Sequence, residues 1–390
     1  MQTQSRHAGP GQVRLAKTYE AGARGQRART PFQISALEQA AEAAMSPEGF
    51  GYLRASGAEA TLRANREALD AVRIVPRMLR NVGARNLGME LFGRRLPAPL
   101  LLGPVGVQDL CHPEGDLATA RAAASRGVPM VFSNQASVDM ETCAAAMGEG
   151  PRWFQLYWTR SDDLARSLVQ RAEACGCEAI VITLDTTMLG WRPVDLDHGF
   201  LPFQTGQGLA QYTSDPVFRT MLARPPEEDV AAACRLFATI YSDPTLDWER
   251  LQRIRDWTRL PVVLKGVQHP ADARMAAEAG WDAIVVSNHG GRQVDGAVGS
   301  AAQLAACVDA AGPMPVLFDS GVRSGADILK ALALGARAVL LGRPYLWGLA
   351  VDGEAGVAAV IDNMIGELDL AMGLAGVSDV AALGRETVGM

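Results

Sequence analysis

The feature that most constrains this fold is a pattern repeated from about residue 99 to the end of the chain. Each repeat has a short apolar run, then a turn bearing Gly, Asn or Asp, and usually an Ala-rich amphipathic helix. Strands alternating with helices are typical of βα units built around a parallel sheet. The predicted strands are 100–103, 129–133, 153–156, 179–184, 262–265, 283–287, 316–319 and 338–341.

Eight such units favour an α/β fold of the TIM (β/α)8 barrel type over a doubly wound sheet. An open dinucleotide-binding sheet more often begins with a GxGxxG turn after its first strand, and this sequence has none there. A chain of 390 residues could form two average domains, but barrels with insertions also reach this length as one domain. We predict a flexible arm over 1–33, a helical segment over 34–98 that acts as a lid or as a plug for the barrel's bottom, and a barrel over 99–390.

One connection is much longer than the others. It joins the fourth and fifth predicted strands across 185–261, and it contains the turn Gly206-Gln207-Gly208 and a helical pattern over 227–241. Long connections in compact domains are usually functional or mobile. We predict a lid insertion at about 190–258, over the active face.

Composition and charge narrow the class of partner. Hydrophobic residues make up 48% of the chain, and the net charge of -6 gives no general attraction to nucleic acid or to an anionic membrane. No apolar run is long enough to cross a bilayer and no secretion signal is present, so we expect a cytoplasmic protein that binds small molecules. Residues 1–30 contain a single acid, Glu20, which a mitochondrial transit peptide could share, although a solvated arm is favoured. The six cysteines are scattered without metal-ligand spacing, so no metal site is predicted.

The string Val285-Val286-Ser287-Asn288-His289-Gly290-Gly291-Arg292-Gln293 carries the strongest functional signal. It places an imidazole and a guanidinium just beyond a predicted strand, with two glycines between them. Imidazole exchanges a proton near neutral pH, and guanidinium stays charged and binds a carboxylate with two hydrogen bonds. A lone histidine at a strand end is more often structural, but this pair indicates chemistry on an acid.

Other polar residues also follow the predicted strands, where active sites of this fold lie. Glycines with an arginine after the seventh and eighth strands, Gly321 with Arg323 and Gly342 with Arg343, are typical of the phosphate site of such barrels. Two ordinary turns with surface arginines are the alternative. Lys265 ends the fifth strand, where a buried lysine needs an anionic partner; a surface lysine is the other interpretation.

The string around His289 closely resembles the signature of the FMN-dependent α-hydroxy-acid oxidising enzymes, and the resemblance extends from about Tyr52 to the C-terminus. It implies FMN as cofactor and a 2-hydroxy acid as substrate. It also implies that His289 takes a proton from the substrate, that Asp185 orients this imidazole, and that Lys265 stabilises negative charge on the reduced flavin. The substrate-binding residues that it implies are Tyr52, Tyr157, Arg192 and Arg292.

For the cofactor, the resemblance implies three groups of contacts. A backbone segment, Pro104, Val105 and Gly106, faces the flavin ring. Polar contacts to the ring's edge come from Ser133, Gln155 and Thr183. The ribityl and phosphate site consists of Asp319, Gly321, Arg323, Gly342 and Arg343. No substrate role is assigned to Ser287.

Two departures from the family pattern bear on the substrate. Gln135 stands where the family has an aromatic or apolar pocket residue, which predicts an amide near the substrate's side chain and puts simple lactate specificity in doubt. The match around Tyr52 has a one-residue ambiguity in register, so Tyr157 is the better-defined phenol.

Within the family, five segments most resemble lactate monooxygenase. They include Gly190-Trp191-Arg192-Pro193 and the stretch from Gly342 to Gly348. This resemblance implies oxidation of an L-2-hydroxy acid by oxygen with decarboxylation. A plain oxidase that releases peroxide, or a dehydrogenase that uses a quinone or protein acceptor, remains the alternative. A barrel isomerase or a sugar-phosphate enzyme would share the phosphate site but would not need His289, Asp185, Arg192 and Arg292 together. The resemblance also implies a homo-tetramer or a homo-octamer, because members of the family commonly form such assemblies.

Overall fold

Eight parallel strands form a closed barrel in which each strand pairs with the next along the chain and the last pairs with the first. The computed structural model describes residues 9–54 and 57–389. All the predicted strands are present, so the TIM (β/α)8 barrel is confirmed. The barrel strands are β1 (Leu100–Leu102), β2 (Met130–Phe132), β3 (Arg152–Leu156), β4 (Ile180–Thr183), β5 (Val262–Val267), β6 (Ala283–Val286), β7 (Val316–Phe318) and β8 (Ala338–Leu341).

The strands alternate between an inner and an outer face. Their outward side chains join the core beneath the surrounding helices, as Leu100 and Leu102 do from β1. The inward side chains form a separate apolar cluster, to which each strand contributes, namely Leu101, Val131, Trp153, Val181, Val263, Val285, Leu317 and Leu340. Because side chains two positions apart on a strand share a face, the next inward position of each strand lies one layer higher, at the carboxyl end.

Helices surround the barrel and fill the insertion. The long last helix is kinked at Asp352 and Gly353, where the backbone leaves helical geometry. The helices are α1 (Pro10–Ala23), α2 (Ile34–Ala44), α3 (Pro47–Arg54), α4 (Ala60–Ala71), α5 (Gly115–Arg126), α6 (Met140–Met147), α7 (Asp162–Ala174), α8 (Pro193–His198), α9 (Ala210–Thr213), α10 (Pro216–Thr220), α11 (Val230–Ile240), α12 (Trp248–Leu251), α13 (Pro270–Glu278), α14 (Ser300–Ala311), α15 (Gly325–Ala333) and α16 (Arg343–Ala375).

The plug at the barrel's bottom is a β-hairpin rather than a helix. Its strands, Met89–Leu91 and Arg94–Leu96, pair in antiparallel register. Their apolar side chains join the inner barrel cluster, and the rings of Phe92 and Trp153 lie 5.5 Å apart. Only the end of the segment 34–98 therefore closes the bottom.

The helices of the same segment lie at the opposite, carboxyl end of the barrel. Tyr52 of α3 lines the cavity there. From α4, the Asn65 amide exchanges hydrogen bonds with the amide of Asn288, at 2.9 and 2.7 Å, next to His289. The segment 34–98 thus supplies parts of both ends of the barrel.

The prediction of a flexible arm over 1–33 does not hold for the described part of that segment; residues 1–8 lie outside the described residues. Pro10–Ala23 form α1, and the Gly11 amide donates to the Asp369 carboxylate of α16 at 3.0 Å. Arg14 also donates to Asn363 at 3.0 Å. The weakly apolar sequence of α1 gave no sign of this contact, because its anchor is a buried carboxylate far along the chain.

The insertion after β4 contains α8 to α12 and returns to the barrel at β5. Asp215 secures it to α7: its buried carboxylate accepts from Ser167 at 2.8 Å and from Arg171 at 3.1 Å. Among the described residues, no helix combines the length and apolar character needed to cross a bilayer.

We predict that Asp369→Ala lowers the free energy of unfolding by about 3–5 kcal/mol, because it leaves a buried guanidinium without its carboxylate. Asp369 is fully buried and accepts from Arg85 at 2.6 and 2.9 Å. The matched control on the same helix is Asp362→Ala, whose partner Arg126 is 36% exposed and whose loss should cost less than about 1 kcal/mol. Urea unfolding of both variants checks this. Equal losses would contradict it.

Candidate active site

A cavity of about 480 Å³ opens at the carboxyl ends of the barrel strands. Most of the residues that the sequence predicted for cofactor and substrate meet there. Those lining it are Tyr52, Pro104, Val105, Gly106, Gln135, Tyr157, Arg192, Lys265, His289, Arg292, Asp319, Gly321, Arg323, Gly342 and Arg343.

Four predicted site residues lie behind the cavity wall instead. Ser133, Gln155 and Thr183 are buried at the inward positions that follow Val131, Trp153 and Val181. The Ser133 hydroxyl accepts a hydrogen bond from the backbone N–H of Gln135 at 3.1 Å, and Gln155 Oε1 accepts one from the backbone N–H of Asn134 at 3.1 Å. The fourth, Asp185, stands behind His289. Their predicted roles stay predictions.

His289 and Asp185 form the central pair of the site. His289 Nδ1 lies 2.8 Å from Asp185 Oδ1, and the Thr186 hydroxyl is 3.3 Å from the same nitrogen. His289 has a φ of 58°, an unusual conformation for a residue with a side chain, and its amide donates to Ser287 Oγ at 3.1 Å. This turn directs the imidazole from the end of β6 into the cavity.

The surroundings keep the imidazole neutral and its carboxylate charged. Burial lowers the pKa of His289 below its usual value and Lys265 lowers it further, whereas Asp185 raises it. Burial alone would raise the pKa of Asp185, but His289 and Lys265 outweigh burial and hold it below its usual value. A neutral imidazole hydrogen-bonded to a carboxylate can accept a proton.

Lys265 of β5 is a buried cation that contacts side chains at the ends of β6 and β7. It is 4% exposed; its Nζ donates to Ser287 Oγ at 3.1 Å and lies 3.3 Å from Asp319 Oδ2. Burial opposes the charge, but Asp319 and Asp185 raise the pKa of the amine above its usual value. Lys265 therefore stays protonated at the base of the cavity.

Arg192 and Arg292 come together although they lie on different segments. Arg192 donates from Nε to the backbone oxygen of Arg292 at 3.1 Å and from Nη2 to Gln293 Oε1 at 3.0 Å. Gln293 in turn donates to the backbone oxygen of Asp185 at 2.8 Å. Burial and the charge of Arg192 lower the pKa of Arg292 to about 10. A carboxylate between them would relieve this repulsion.

Two phenols face the same part of the cavity. The Arg292 guanidinium lies 5.0 Å from the centre of the Tyr52 ring, and it donates to the Tyr52 backbone oxygen at 2.7 Å. Burial, together with the charge of Asp185, raises the pKa of Tyr157. Its phenol therefore stays protonated and can donate to a bound acid.

The predicted phosphate site has open backbone and two arginines. Ser320 and Gly321 have φ values of 81° and 85°, and a Cβ added at Gly342 would meet nothing within 4 Å. Arg323 lies 4.9 Å from the ring centre of Trp347, and burial lowers the pKa of this arginine to about 10.

Arg343 has a second task that the sequence did not predict. Its guanidinium donates to the backbone oxygens of Leu53, Arg54 and Gly290 at 3.1, 3.2 and 3.1 Å. The bonds to Leu53 and Arg54 satisfy carbonyl groups at the C-terminus of α3. Gly290 has a φ of 66°, which favours glycine, and a Cβ there would lie 2.7 Å from this guanidinium and displace it.

The donor set fits FMN. Gln155 Nε2 is buried without a hydrogen-bond partner among the described residues, which suits a flavin carbonyl. Burial lowers the pKa of Arg323 and of Arg343, so this end of the cavity has an excess of positive charge that a phosphate would balance. Lys265 and Asp319 would lie beside the ring and the ribityl chain.

The sequence missed several supporting residues. Ser287, which was given no substrate role, bridges Lys265 and His289. Ser320 accepts from the Gly290 amide at 3.0 Å, and Gln293 joins Arg192 to the Asp185 backbone. Gln293 lies inside the string that raised the functional hypothesis, which was the available signal. In the described part of the chain, all six cysteines are free, and no group of three potential metal ligands occurs.

Comparisons with known proteins agree with this fold and site. The model of the family described as "FMN-dependent dehydrogenase" matches residues 41–390. The chain is 42% identical over 360 residues to an L-lactate oxidase of Lysinibacillus sphaericus, covering 91% of this chain and 92% of that protein. It is 44% identical over 359 residues to a 4-hydroxymandelate oxidase of Amycolatopsis orientalis, covering 91% and 98%. A crystal structure of mandelate oxidase superposes with a TM-score of 0.82 at 42% identity, covering 92% of this chain and 98% of that one.

The fold and the comparisons thus define a flavin-binding barrel enzyme of the 2-hydroxy acid oxidase class. The chain belongs to the FMN-dependent dehydrogenase family, and its cofactor is FMN.

We predict that Arg323→Gln raises the dissociation constant for FMN by about 10- to 100-fold, because a charge-assisted contact to phosphate is lost. The apoprotein should keep its thermal stability, because the only hydrogen bond found from this guanidinium among described residues goes to the adjacent Val322 oxygen. Fluorescence titration of apoprotein with FMN measures the constant. Arg323→Lys, which keeps the charge, should recover part of the affinity. Unchanged binding in Arg323→Gln would place the phosphate elsewhere.

Proposed function

We propose that this protein oxidises an L-2-hydroxy acid to the 2-keto acid with oxygen as the final acceptor, in the manner of a lactate 2-monooxygenase. The observation that carries the proposal is that His289, bonded from behind by Asp185, shares one cavity with Arg192 and Arg292. An isomerase or a sugar-phosphate enzyme needs a phosphate site but not this combination of base and carboxylate anchor.

Each side chain has a distinct task in this reaction. Arg192 and Arg292 bind the substrate carboxylate, and the phenols of Tyr52 and Tyr157 donate to its oxygens. His289 Nε2 accepts one proton as the substrate loses its Cα–H and O–H hydrogens and gains a C=O bond. Asp185 stabilises the resulting imidazolium. FMN, when bound, would supply the acceptor for the two electrons and for the other hydrogen, with oxygen as the final oxidant.

Retention of the keto acid would separate a monooxygenase from an oxidase. If peroxide reacts with the keto acid in the closed site, the products are carbon dioxide, water and an acid shorter by one carbon. If the keto acid leaves first, peroxide is released.

The insertion supports retention because an aromatic cluster ties it to both sides of the cavity. Tyr52 and Phe203 lie 6.4 Å apart between ring centres, Phe203 and Phe237 5.1 Å, and Phe237 and Tyr212 4.9 Å. The Tyr212 hydroxyl then donates to Asn134 Oδ1 at 3.2 Å, which also accepts from the Tyr157 amide at 2.9 Å. Opening the lid would break this chain of contacts.

Mixing the FMN-loaded protein with L-2-hydroxy acids without oxygen tests the reaction class. Bleaching of the flavin absorbance by L-lactate or a larger acid is expected, and no bleaching by any of them would refute the proposal. Admitting oxygen then separates the branches: carbon dioxide in proportion to substrate supports the monooxygenase. Free peroxide in that proportion would instead indicate an oxidase, and slow reoxidation by oxygen with fast reoxidation by a quinone would indicate a dehydrogenase.

The pH dependence of kcat/KM tests the base. Because burial lowers the pKa of His289 below 6.5, the neutral base persists at neutral pH and kcat/KM should fall only as the pH drops through that lower pKa. Asp185 raises the pKa of His289, so Asp185→Asn should move this acid limb to lower pH while the plateau falls by about 100-fold or more.

The control for this experiment is Thr186→Val, which removes a hydroxyl near the same nitrogen but keeps the charge of Asp185. Its acid limb should not move. An acid limb that stays in place in Asp185→Asn would show that His289 is not the group that titrates.

A further inference from the structure

The cavity does not end at the groups that would hold the reacting atoms. It continues beneath the insertion as a side pocket whose lining is mainly apolar, with Gln204 and Arg235 as its polar members. The apolar residues of this side pocket are Leu201, Phe203, Ala231, Cys234, Ala238 and Tyr241. Ala231, Cys234 and Ala238 are spaced three and four positions apart on α11, so they share one face of that helix. The sequence pattern predicted this helix as part of the lid over the active face but assigned none of its residues to the site.

The side pocket is continuous with the predicted substrate position. The rings of Phe203 and Tyr52 are in edge contact, and Tyr241 stacks on Phe237 at 5.1 Å. A Cβ added at Gly208 would lie 2.8 Å from Val107, 2.9 Å from Phe203 and 3.0 Å from the Gln135 backbone oxygen. The β1 loop, the end of β2 and the insertion therefore meet where the side pocket begins.

The proposed positions of the substrate carboxylate, the substrate hydroxyl and the flavin leave the side pocket open for the substrate's side chain. The carboxylate is assigned to Arg192 and Arg292, the hydroxyl lies beside His289, and the flavin takes the barrel rim around Lys265 and Arg323. The side pocket is a part of the cavity that these groups leave open.

The walls of the side pocket suit an apolar group. Its aromatic and aliphatic side chains form one side, and the small residues of α11, of which Ala231 and Ala238 are exposed, leave room on the other. Arg235 and Gln204 are the polar residues of this lining. Burial raises the pKa of the Cys234 thiol, so this wall carries no thiolate. A methyl group such as that of lactate would leave most of this apolar surface uncovered, whereas an aryl or branched alkyl group would bury it.

We propose that the side pocket along α11 binds the side chain of the substrate, and that the preferred substrates are L-2-hydroxy acids with an aryl or branched alkyl side chain rather than lactate. This inference rests on the proposed function. Ala238 is a specificity-determining residue, since a larger side chain there would fill the side pocket without contact to the reacting groups.

The test compares kcat/KM for L-mandelate and L-2-hydroxyisocaproate with that for L-lactate. We expect the wild-type protein to favour at least one bulky acid by about tenfold or more, and Ala238→Leu to lower that ratio by about tenfold or more. The matched control is Thr239→Leu, which adds a similar side chain one position along α11, at an exposed residue outside the cavity lining. Its ratio should stay within about twofold of the wild-type ratio.

Binding of the keto acids provides a readout that does not depend on turnover. Phenylglyoxylate should bind the FMN-loaded wild-type protein more tightly than pyruvate does, and Ala238→Leu should remove most of that difference. A retained FMN absorbance spectrum shows that each variant is folded.

The outcomes separate the two proposals. If lactate reduces the flavin with a kcat/KM equal to or above that of every bulky acid, the side-pocket inference fails and the proposed function stands. If bulky acids are preferred but Ala238→Leu does not change the ratio, the side chain binds elsewhere. If no acid reduces the flavin, both proposals fail.

Discussion

An excess of positive charge in a buried cavity is the constraint on which this site depends. Lys265, Arg192, Arg292, Arg323 and Arg343 all line the cavity. Fewer carboxylates stand close to them among the described residues: Asp319 lies beside Lys265, Asp195 lies 3.7 Å from Arg192, and Asp185 is bonded to His289. Burying a charge is costly, and the lowered pKa values of Arg292, Arg323 and Arg343 reflect that cost. Two anions would make this arrangement favourable, and we propose that they are the phosphate of FMN at one end and the carboxylate of the substrate at the other.

The barrel delivers this charge through the alternation of its strands. Below the rim, the inward residues are apolar and pack on the hairpin plug. One inward step later, the same strands present Ser133, Gln155, Thr183, Lys265, Ser287 and Asp319. A rigid apolar layer therefore supports a polar layer, which holds the site in place without requiring the loops to do so.

Local patterns predicted the parts of the structure that depend on short stretches of chain. The strands were identified because each is a buried apolar run ended by a turn, and the cluster after β6 because His289 and Arg292 stand on one such turn. The family resemblance added FMN and the residues of other strands.

The parts that were missed depend on contacts between distant residues. Helix α1 lies against the barrel because Gly11 meets the carboxylate of Asp369, and no pattern near residue 11 indicates this. Arg343 was expected at the phosphate only, yet it also binds carbonyl groups of α3. Arg192 and Arg292 were expected to bind one carboxylate together, but the hydrogen bonds from Arg192 to the Arg292 backbone oxygen and to Gln293 were not predicted, because they depend on how the insertion folds back over the barrel.

The most direct test of the central claim is a crystal structure of the FMN-loaded protein with a bound 2-keto acid. The phosphate should lie between Arg323 and the backbone of Gly342, and the carboxylate of the keto acid should accept hydrogen bonds from both Arg192 and Arg292, with His289 Nε2 beside its carbonyl oxygen. A carboxylate bound away from these two arginines would contradict the account.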